Sequence, residues 1–208
     1  DTLNIDPKKI LNKISKKTKA IIVVHFAGLS CDMDEILKIS RKYSIKVIED
    51  CAHAIETKYK NKQAGTLGDT GCFSFYSTKN ITTSEGGMLT TKNKKLADRV
   101  NKLRLHGLSR DAWKRYSNIG KYKTYNIFEP GYKYNLTNMN AALGINQLKK
   151  INFFWKKRKK IWDFYNSNLG DLPIKLPPKI TKGYKHAYHL YTIIIDKSKT
   201  NKTREEAI

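Results

Sequence analysis

The sequence has few cysteines and no long apolar run, and both absences exclude classes of protein. Its three cysteines, Cys31, Cys51 and Cys72, lie far apart without a Cys-x-x-Cys pair. An odd, unpaired set predicts reduced structural thiols rather than a disulfide framework, and it favours a cytoplasmic location. No apolar run reaches the length of a transmembrane helix, and no signal peptide is recognisable. We therefore expect neither a metal site nor a membrane partner.

Acidic residues and arginine are also scarce. Only 18 Asp and Glu oppose 41 Lys and Arg, which gives a formal net charge of +23, and seven of the basic residues are arginine. Such an excess can serve a nucleic acid or another polyanion, or it can reflect a lysine-rich composition alone. Because base readout and phosphate forks favour arginine, its scarcity argues against a nucleic-acid partner.

The pattern that is present predicts an α/β protein. Hydrophobic residues make up 39% of the 208 residues, enough to bury a core. Asp6 and Pro7 predict the beginning of a helix. Residues 20–26 (AIIVVHF) are typical of a strand that is buried on both faces. A helical pattern and a second strand at 46–50 (KVIED) follow, which predicts a right-handed parallel crossover.

The later part of the chain continues this pattern. We predict strands at 71–76 and 88–93, a helix at 94–107 and a long irregular loop at 108–134. A long helical region at 137–169, capped by Thr137, and a final strand at 186–195 follow. The run KKRKK (156–160) is interpreted as a solvated helix face in preference to a nucleic-acid patch.

Chemically useful side chains stand at the ends of two predicted strands. Asp50 closes the strand 46–50, and His53 follows three residues later. Ser74 lies on the next strand, and Lys79 leaves that strand ahead of Gly86-Gly87. Ligands of open parallel sheets bind beyond the carboxyl ends of the strands, so these side chains can meet there. Each also has an ordinary alternative, as a turn, strand or surface residue.

Together these residues match the needs of pyridoxal phosphate (PLP). Lys79 offers an amine for a Schiff base, and Asp50 offers a carboxylate that keeps the pyridine nitrogen protonated. Hydroxyl and amide side chains that surround the lysine can bind phosphate oxygens, namely Ser74, Ser77, Thr78, Asn80, Thr82 and Thr83. Spacing alone does not single out this cofactor.

Five stretches carry a resemblance to a known family. They are VVHFAG (23–28), EDCAHA (49–54), the run containing GCFSFYSTKN and EGG (65–87), GYKYNLTNMNAALGINQL (131–148) and HAYHLY (186–191). In this order they resemble the DegT/DnrJ/EryC1/StrS family of PLP-dependent nucleotide-sugar aminotransferases over nearly the whole chain. The resemblance implies the type I aminotransferase fold, a mostly parallel central sheet flanked by helices. It also implies that residues 1–150 are part of the large PLP-binding domain, and that residues 151–208 are a linker helix and the start of a small C-terminal α/β subdomain.

The resemblance assigns roles to four residues by position. Lys79 falls on the Schiff-base lysine, and Asp50 falls on the aspartate that pairs with the pyridine nitrogen. His53 falls where the family has Gln or His near the phenolic oxygen of the cofactor, and Ser74 falls on the phosphate-binding serine. Members with His at the lysine position are dehydratases or deoxygenases, so Lys79 implies transamination.

Other residues are implied as partners of the cofactor or the substrate. The family shares its active site across a homodimer, and the loop carrying GYKYNL reaches the neighbour's phosphate. Here that contact falls to Lys133 or Asn135. His186 or His189 of HAYHLY, and Glu85, are implied to approach the substrate.

The chain also departs from the family pattern. Ser84 stands where the family usually has glycine, and we expect little damage from it because serine tolerates most backbone angles. The family's N-terminal segment and C-terminal tail are not in the sequence, and we expect the chain to be a fragment or the product of a split gene.

The resemblance thus implies amino transfer from glutamate to a keto sugar on a nucleotide diphosphate, a UDP-4-keto-hexose by its HFAG and PGYKYNLT motifs. The product would be an amino sugar for a surface polysaccharide or glycan. Two alternatives stay open at this point: a basic module that binds nucleic acid or another polyanion, and a non-catalytic remnant of the PLP fold.

Overall fold

The computed structural model describes residues 2–108 and 126–207. Most of the predicted loop at 108–134, residues 109–125, therefore lies outside the described residues. In chain order, the described helices and strands are α1 (Pro7–Ile10), β1 (Ala20–Val24), α2 (Met33–Tyr43), β2 (Lys46–Asp50), β3 (Lys58–Tyr59), β4 (Lys62–Gln63), β5 (Thr70–Ser74), β6 (Gly87–Thr91), α3 (Lys94–Leu103), α4 (Asn138–Lys149), α5 (Ile151–Asn168), β7 (Ile174–Lys175) and β8 (Ile194–Ile195).

A four-stranded sheet organises the first half of the chain. Its order is β1-β2-β5-β6, in which β1, β2 and β5 run parallel and β6 runs antiparallel to β5. The predicted parallel crossover from β1 through α2 to β2 is confirmed. The mostly parallel α/β sheet is confirmed as well, and its fourth strand supplies the antiparallel edge that mixed sheets often carry.

Side-chain caps begin the helices where the sequence predicts them. The Asp6 carboxylate accepts a hydrogen bond from the backbone N–H of Lys8, and Pro7 occupies the first turn of α1. Thr137 likewise accepts from the N–H of Asn140 and begins α4. These caps satisfy N–H groups that have no partner within the helix, so the short α1 can form at all.

The core lies on one face of the sheet, beneath α2. Met33 and Ile36 of α2 pack on Val23 of β1 and Val47 of β2, and all four side chains are fully buried. Each fully buried side chain of this size contributes about 1.5–3 kcal/mol of transfer free energy. This cluster holds the parallel strands in register and fixes where their carboxyl ends lie.

The prediction that β1 is buried on both faces is wrong for the described residues. Ile21 and Val23 are buried, but Ile22 is 61% exposed and Val24 is 41% exposed. The apolar run gives no alternation, so it cannot reveal that only one face is covered by a described element. The sequence specifies a strand here, and the packing partners decide its burial.

The prediction of a continuous strand at 186–195 is also wrong. Only Ile194–Ile195 pairs as a strand, with Ile174–Lys175. Tyr188 has a positive φ of 52°, which breaks the extended run. The backbone instead docks on the loop after β1, where the Ala187 N–H donates to the Gly28 carbonyl at 3.0 Å and the His189 N–H donates to the Ala27 carbonyl at 3.1 Å.

The KKRKK run forms a solvated helix face, as predicted, except at its central residue Arg158. Lys156, Lys157 and Lys160 are exposed on α5, as a solvated helix face requires. Arg158 instead turns inward and pairs with Glu56, whose side chain is 2% exposed.

Within the described ranges, no helix is both long enough and apolar enough to cross a bilayer. Cys31, Cys51 and Cys72 are free thiols.

Candidate active site

The carboxyl edge of the sheet collects the predicted site residues. Asp50 ends β2 and is registered with Cys72 of β5, two residues before Ser74. Ser74 in turn pairs with Gly87, the first residue of the antiparallel β6. The Glu85-Gly86-Gly87 turn therefore arrives at the same edge at which Asp50 and Ser74 leave it. This follows from the topology, because carboxyl ends of parallel strands share one edge.

Asp50 has one carboxylate oxygen fixed and one available. Its Oδ1 accepts a hydrogen bond from the backbone N–H of Ala52 at 3.0 Å. Its Oδ2 makes no hydrogen bond or ion pair with any described residue. Asp50 can therefore stabilise the turn through Oδ1 and also bind a ligand through Oδ2.

Lys79 lies in the turn after β5. Its backbone N–H donates to the Tyr76 carbonyl at 3.0 Å, and its side chain is half-buried. In contrast with Lys46 and Lys60, which pair with Asp69 and Asp34, Lys79 forms no ion pair within the described part of the chain. A half-buried amine without a carboxylate partner is a candidate nucleophile rather than a stabilising surface charge.

The charges of Lys79 and Asp50 both act on the His53 ring. Its Nδ1 accepts a hydrogen bond from the backbone N–H of Ala27 at 3.3 Å. Burial and the positive charge of Lys79 lower the pKa of His53, and the negative charge of Asp50 opposes them. Lys79 and Asp50 thus both act on the ring, which stays neutral at pH 7. The structure brings His53, Asp50 and Lys79 together in one electrostatic environment.

Two hydroxyl groups near Lys79 donate hydrogen bonds to backbone carbonyls. Thr82 Oγ1 donates to the Phe75 carbonyl at 3.1 Å, and Thr83 Oγ1 donates to the Glu85 carbonyl at 2.8 Å. The predicted role of these threonines in binding phosphate is therefore not what the geometry favours. Ser74 Oγ accepts only a long 3.4 Å bond from the Tyr76 N–H. Its hydroxyl hydrogen remains available for an anion.

Ser84 is more constrained than its sequence position predicts. It adopts a positive φ of 68°, in the left-handed region that glycine occupies without cost. An L-residue pays about 1–2 kcal/mol there. The serine therefore carries backbone strain that a glycine at this position would not have.

A polar cluster that the sequence analysis missed supports the Lys79 turn. The Asn80 side-chain amide donates to Glu56 Oε2 at 2.8 Å and to the Ala187 carbonyl at 3.0 Å. Its oxygen lies 2.8 Å from Nδ1 of His189. Asn80 is adjacent to Lys79, so this cluster fixes the turn that presents the lysine. No local sequence pattern could have found it, because its members come from distant segments.

The structure separates the two histidines of HAYHLY. His189 lies beside the site, with its ring centroid 4.4 Å from that of His53. His186 is 4% exposed, packs 4.7 Å from the Trp162 ring, and accepts from the Tyr188 N–H at 2.8 Å through Nδ1. Of the two candidate substrate contacts, the geometry favours His189, and His186 is a packed and satisfied core residue.

The other predicted residues are Lys133, Asn135 and Glu85. Exposed Lys133 forms an isolated bridge with Leu105 after α3, and Asn135 is half-buried two residues later. The Glu85 side chain is exposed, and its carbonyl accepts from the Asn140 side chain at 3.1 Å. Among the described residues, no hydrogen bond or ion pair joins the side chains of Lys133, Asn135 or Glu85 to Lys79, Asp50 or His53.

A second buried polar group has a geometry that could be mistaken for a metal site. Ligand atoms of His25, Glu49 and Cys51 lie within 4.8 Å of one another. The Glu49 carboxylate, however, is already bonded by His25 Nε2 at 3.0 Å and by the N–H groups of Gly65, Leu67 and Gly68 at 2.7–2.8 Å. Both Glu49 oxygens therefore already accept hydrogen bonds from the protein, and these bonds order the loop at 65–68 rather than hold a metal ion.

The buried histidines give a prediction about pH. Burial lowers the pKa of His186 to about 4, and burial with nearby positive charge lowers the pKa of His189 to about 4. In the unfolded chain both have a pKa of about 6.5 and bind protons that the folded state rejects. Stability should therefore fall as the pH drops from about 6.5 to about 4, by about 3 kcal/mol for His186.

Urea unfolding across that pH range checks this prediction. His186→Asn keeps an acceptor for the Tyr188 N–H and removes the titration, so its stability should vary less between pH 6.5 and 4.5 than that of the parent. The solvent-exposed His106→Asn is the matched control and should leave the slope unchanged. An unchanged slope in His186→Asn would contradict the prediction.

The fold places the protein in a structural class, because it matches solved PLP-dependent aminotransferases. The sequence profile of the DegT/DnrJ/EryC1/StrS aminotransferase family matches residues 1–208, and the chain belongs to that family. Members of the family depend on PLP, and the solved relatives include PMP and PLP forms of one enzyme. The fold, family and cofactor class predicted from the sequence are confirmed.

Relatives of known name are similar over the whole chain. The spore coat polysaccharide biosynthesis protein SpsC of Bacillus subtilis is 44% identical over 208 residues, which are 100% of this chain and 53% of SpsC. The structure of Helicobacter pylori PseC, an aminotransferase of pseudoaminic acid biosynthesis, superposes with a TM-score of 0.85 at 30% identity, covering 94% of this chain and 50% of PseC.

A third relative is the putative sugar aminotransferase Spr1654 of Streptococcus pneumoniae in its PMP form. Its TM-score is 0.85 at 31% identity, covering 95% of this chain and 54% of that protein. The chain thus spans about half the length of the relatives that it matches.

The described residues fit the cofactor of this family. The amine of Lys79 has no carboxylate partner among them, Asp50 keeps one oxygen available, and the Ser74 hydroxyl hydrogen is uncommitted. A free amine, a free carboxylate oxygen and a hydroxyl at one sheet edge are the donor set that PLP requires.

Proposed function

We propose that the protein transfers an amino group from glutamate to a keto sugar carried on a nucleotide diphosphate, a UDP-4-keto-hexose. The product is an amino sugar for a surface polysaccharide or glycan. The observation that carries the proposal is the unpartnered, half-buried amine of Lys79 beside Asp50 and His53 at the carboxyl edge of the sheet. A polyanion-binding module has no use for such an arrangement.

The names of the relatives support a sugar substrate. SpsC is named as a spore coat polysaccharide biosynthesis protein, and PseC as an aminotransferase in the biosynthesis of pseudoaminic acid. Family membership does not favour the polyanion-binding alternative. The retained Lys79, Asp50 and Ser74 argue against a non-catalytic remnant.

The residues divide the work. PLP, when bound, supplies an electron sink for the carbanion formed at the amino-bearing carbon. Lys79 would hold the cofactor covalently and would serve as the general base for the proton of the donor's α-carbon. Asp50 would keep the pyridine nitrogen protonated through its free oxygen. His53 would donate from its ring to the phenolic oxygen, and Ser74 would bind phosphate through its hydroxyl.

The site extends to a second subunit in this proposal. Lys133 or Asn135 reaches the phosphate in the neighbouring subunit of a homodimer, and Glu85 and His189 approach the sugar. Exposed apolar side chains along α4 support a partner surface, since Met139 is 84% exposed and Ile145 is 57% exposed. The enzyme acts in the cytoplasm, and residues 151–208 form a linker helix and the start of its small C-terminal subdomain.

A substrate panel tests the proposed function. The PLP-loaded full-length protein is incubated with glutamate and a series of nucleotide-linked keto sugars, and formation of 2-oxoglutarate and the amino sugar is followed by mass spectrometry. We expect the UDP-4-keto-hexose to give the largest kcat/KM. If none of the sugars is aminated, and the protein instead binds RNA or heparin with a steep salt dependence, the polyanion alternative replaces this proposal.

A further inference from the structure

The orientation of the Asn80 side chain is determined by its neighbours. Its Nδ2 faces a carboxylate oxygen of Glu56 at 2.8 Å and the carbonyl of Ala187 at 3.0 Å. Both are acceptors only, so the NH2 group must point to them. The amide oxygen then points to Nδ1 of His189 at 2.8 Å, and an amide oxygen can only accept. His189 must therefore carry its proton on Nδ1.

The charge state of His189 follows from its surroundings. Its ring is half-buried, and the positively charged groups that face it are Lys79 and Arg158, with the neighbouring His53 adding to their effect. Burial and these charges hold the pKa of His189 near 4, so the ring is neutral at pH 7. A neutral imidazole with its proton on Nδ1 presents a lone pair at Nε2.

His53 is fixed in the opposite tautomer. Its Nδ1 accepts from the Ala27 N–H at 3.3 Å, so the proton of the neutral ring lies on Nε2. The two rings pack 4.4 Å apart at an interplanar angle of 36°. The site therefore presents two adjacent imidazoles of different character, one of which donates through Nε2 while the other accepts through Nε2.

Glu56 keeps this arrangement in place. It is 4% exposed, and its two oxygens are used separately: Oε1 by Arg158 of α5 and Oε2 by Asn80. Arg158 also donates from Nε to the Ala187 carbonyl at 3.3 Å. Burial raises the pKa of Glu56, and the hydrogen bonds and charge of Asn80 and Arg158 oppose this rise. Since both Glu56 oxygens face donors, the carboxylate is the form that this geometry satisfies.

We propose that Glu56 and Asn80 are positioning residues that hold His189 in its Nδ1-protonated tautomer, so that its Nε2 accepts a hydrogen bond from a hydroxyl group of the bound sugar. This proposal rests on the proposed function for the identity of the donor, but the tautomer itself does not depend on it. A histidine free to change tautomer could present either a donor or an acceptor, and the Glu56–Asn80 pair removes that choice.

The first experiment measures the wild-type protein and uses a variant only to assign signals. Nitrogen-15 NMR of the histidine-labelled full-length protein at pH 7 reports the protonated nitrogen of each ring, with the His189 signals assigned by their loss in His189→Asn. We expect a protonated Nδ1 and an unprotonated Nε2 for His189, and the reverse for His53. Proton on Nε2 of His189 would overturn the proposal whatever the enzyme's substrate is.

The second experiment replaces Glu56, the residue that orients Asn80. In Glu56→Gln, one of the two oxygens becomes an NH2 group that opposes Arg158 or Asn80. The arrangement that keeps the Arg158 bond sets this NH2 group against the Asn80 NH2 group. Asn80 then either keeps only the Ala187 carbonyl as an acceptor, or turns over, loses that bond and leaves His189 protonated on Nε2. The expected result is that His189 no longer holds one tautomer and that the KM for the keto sugar rises up to about tenfold, the effect of one lost hydrogen bond of about 1.4 kcal/mol. The KM for glutamate and kcat should stay within about twofold. Glu35→Gln, on the exposed side of α2, is the control and should change none of these values.

The outcomes separate the two proposals. A locked tautomer in a protein that aminates no sugar would reject the proposed function and leave the positioning role standing. Equal increases in both KM values, or a loss confined to kcat, would reject the positioning role, because a general disturbance of the Lys79 turn affects both substrates. If Glu56→Gln does not fold, the wild-type spectrum and the Asn80→Ser spectrum decide the tautomer.

Discussion

Replacing Lys79 by alanine is expected to abolish turnover, with a loss of at least about 10⁴-fold in kcat, the upper range for removing a positioned general acid–base group. The variant should also lose the visible absorbance of bound cofactor after gel filtration, because the covalent link to the protein is gone. The protein should otherwise fold normally, since the Lys79 side chain makes no hydrogen bond or ion pair in the described ranges.

The experiment has a direct chemical readout. Borohydride reduction of the PLP-loaded protein followed by peptide mass spectrometry should place the reduced cofactor on the peptide that contains Lys79. Lys38→Ala, an exposed lysine of α2, is the matched control and should keep both absorbance and turnover. Retained turnover in Lys79→Ala, or cofactor attached to a different lysine, would contradict the assignment.

Much of the site was predictable because its signals are local. Asp50 ends a strand whose apolar run is read directly from the sequence, and Ser74 and Lys79 lie five residues apart on one strand and its turn. The parallel register of β2 and β5 then brings them to the same edge. A resemblance in collinear motifs assigned the chemistry, and the topology explains why these positions meet.

The supporting groups were not predictable, for a physical reason. Glu56 and Arg158 are separated by 102 residues, and Asn80 and His189 by 109. A buried ion pair or a satisfied amide leaves no period or spacing in the sequence, and Arg158 stands inside a basic run that reads as a solvated helix face. Only the contacts of α5 and of residues 186–189 with the loops after β1 and β2 bring these partners together.

Among the described residues, the buried carboxylates Glu49 and Glu56 play parallel roles. Glu49 orders the loop at 65–68, and Glu56 orders the Lys79 turn through Asn80. Burying a carboxylate is costly unless hydrogen bonds and charge compensate it. In both cases the compensating hydrogen-bond donors belong to a loop or turn, so the same hydrogen bonds that stabilise the buried carboxylate also fix the conformation of that loop or turn.

Replacing Glu49 is expected to have the largest effect on stability. The carboxylate accepts four hydrogen bonds, from the His25 ring and three backbone N–H groups, and its side chain is 0% exposed. Glu49→Ala leaves these donors buried and unpaired and should lower the free energy of unfolding by about 3–5 kcal/mol. Glu49→Gln should cost less, because its amide oxygen can still serve Leu67 and Gly68 while its NH2 group opposes Gly65 and His25.

The pH dependence of this loss identifies the carboxylate as its cause. Burial by itself raises the pKa of Glu49, but the hydrogen bonds from His25, Gly68 and Gly65 outweigh it and hold the pKa below its ordinary value. A lowered folded-state pKa contributes stability that is complete above the unfolded pKa of about 4.3 and is lost as the pH falls through the folded pKa. The difference between wild type and Glu49→Gln in urea unfolding should therefore be largest near pH 7 and shrink below about pH 4. Glu35→Gln, at an exposed position, should differ from wild type by less than about 0.5 kcal/mol. A difference between wild type and Glu49→Gln that stays constant down to pH 3 would mean that packing, and not the charged hydrogen bonds of Glu49, holds the loop at 65–68.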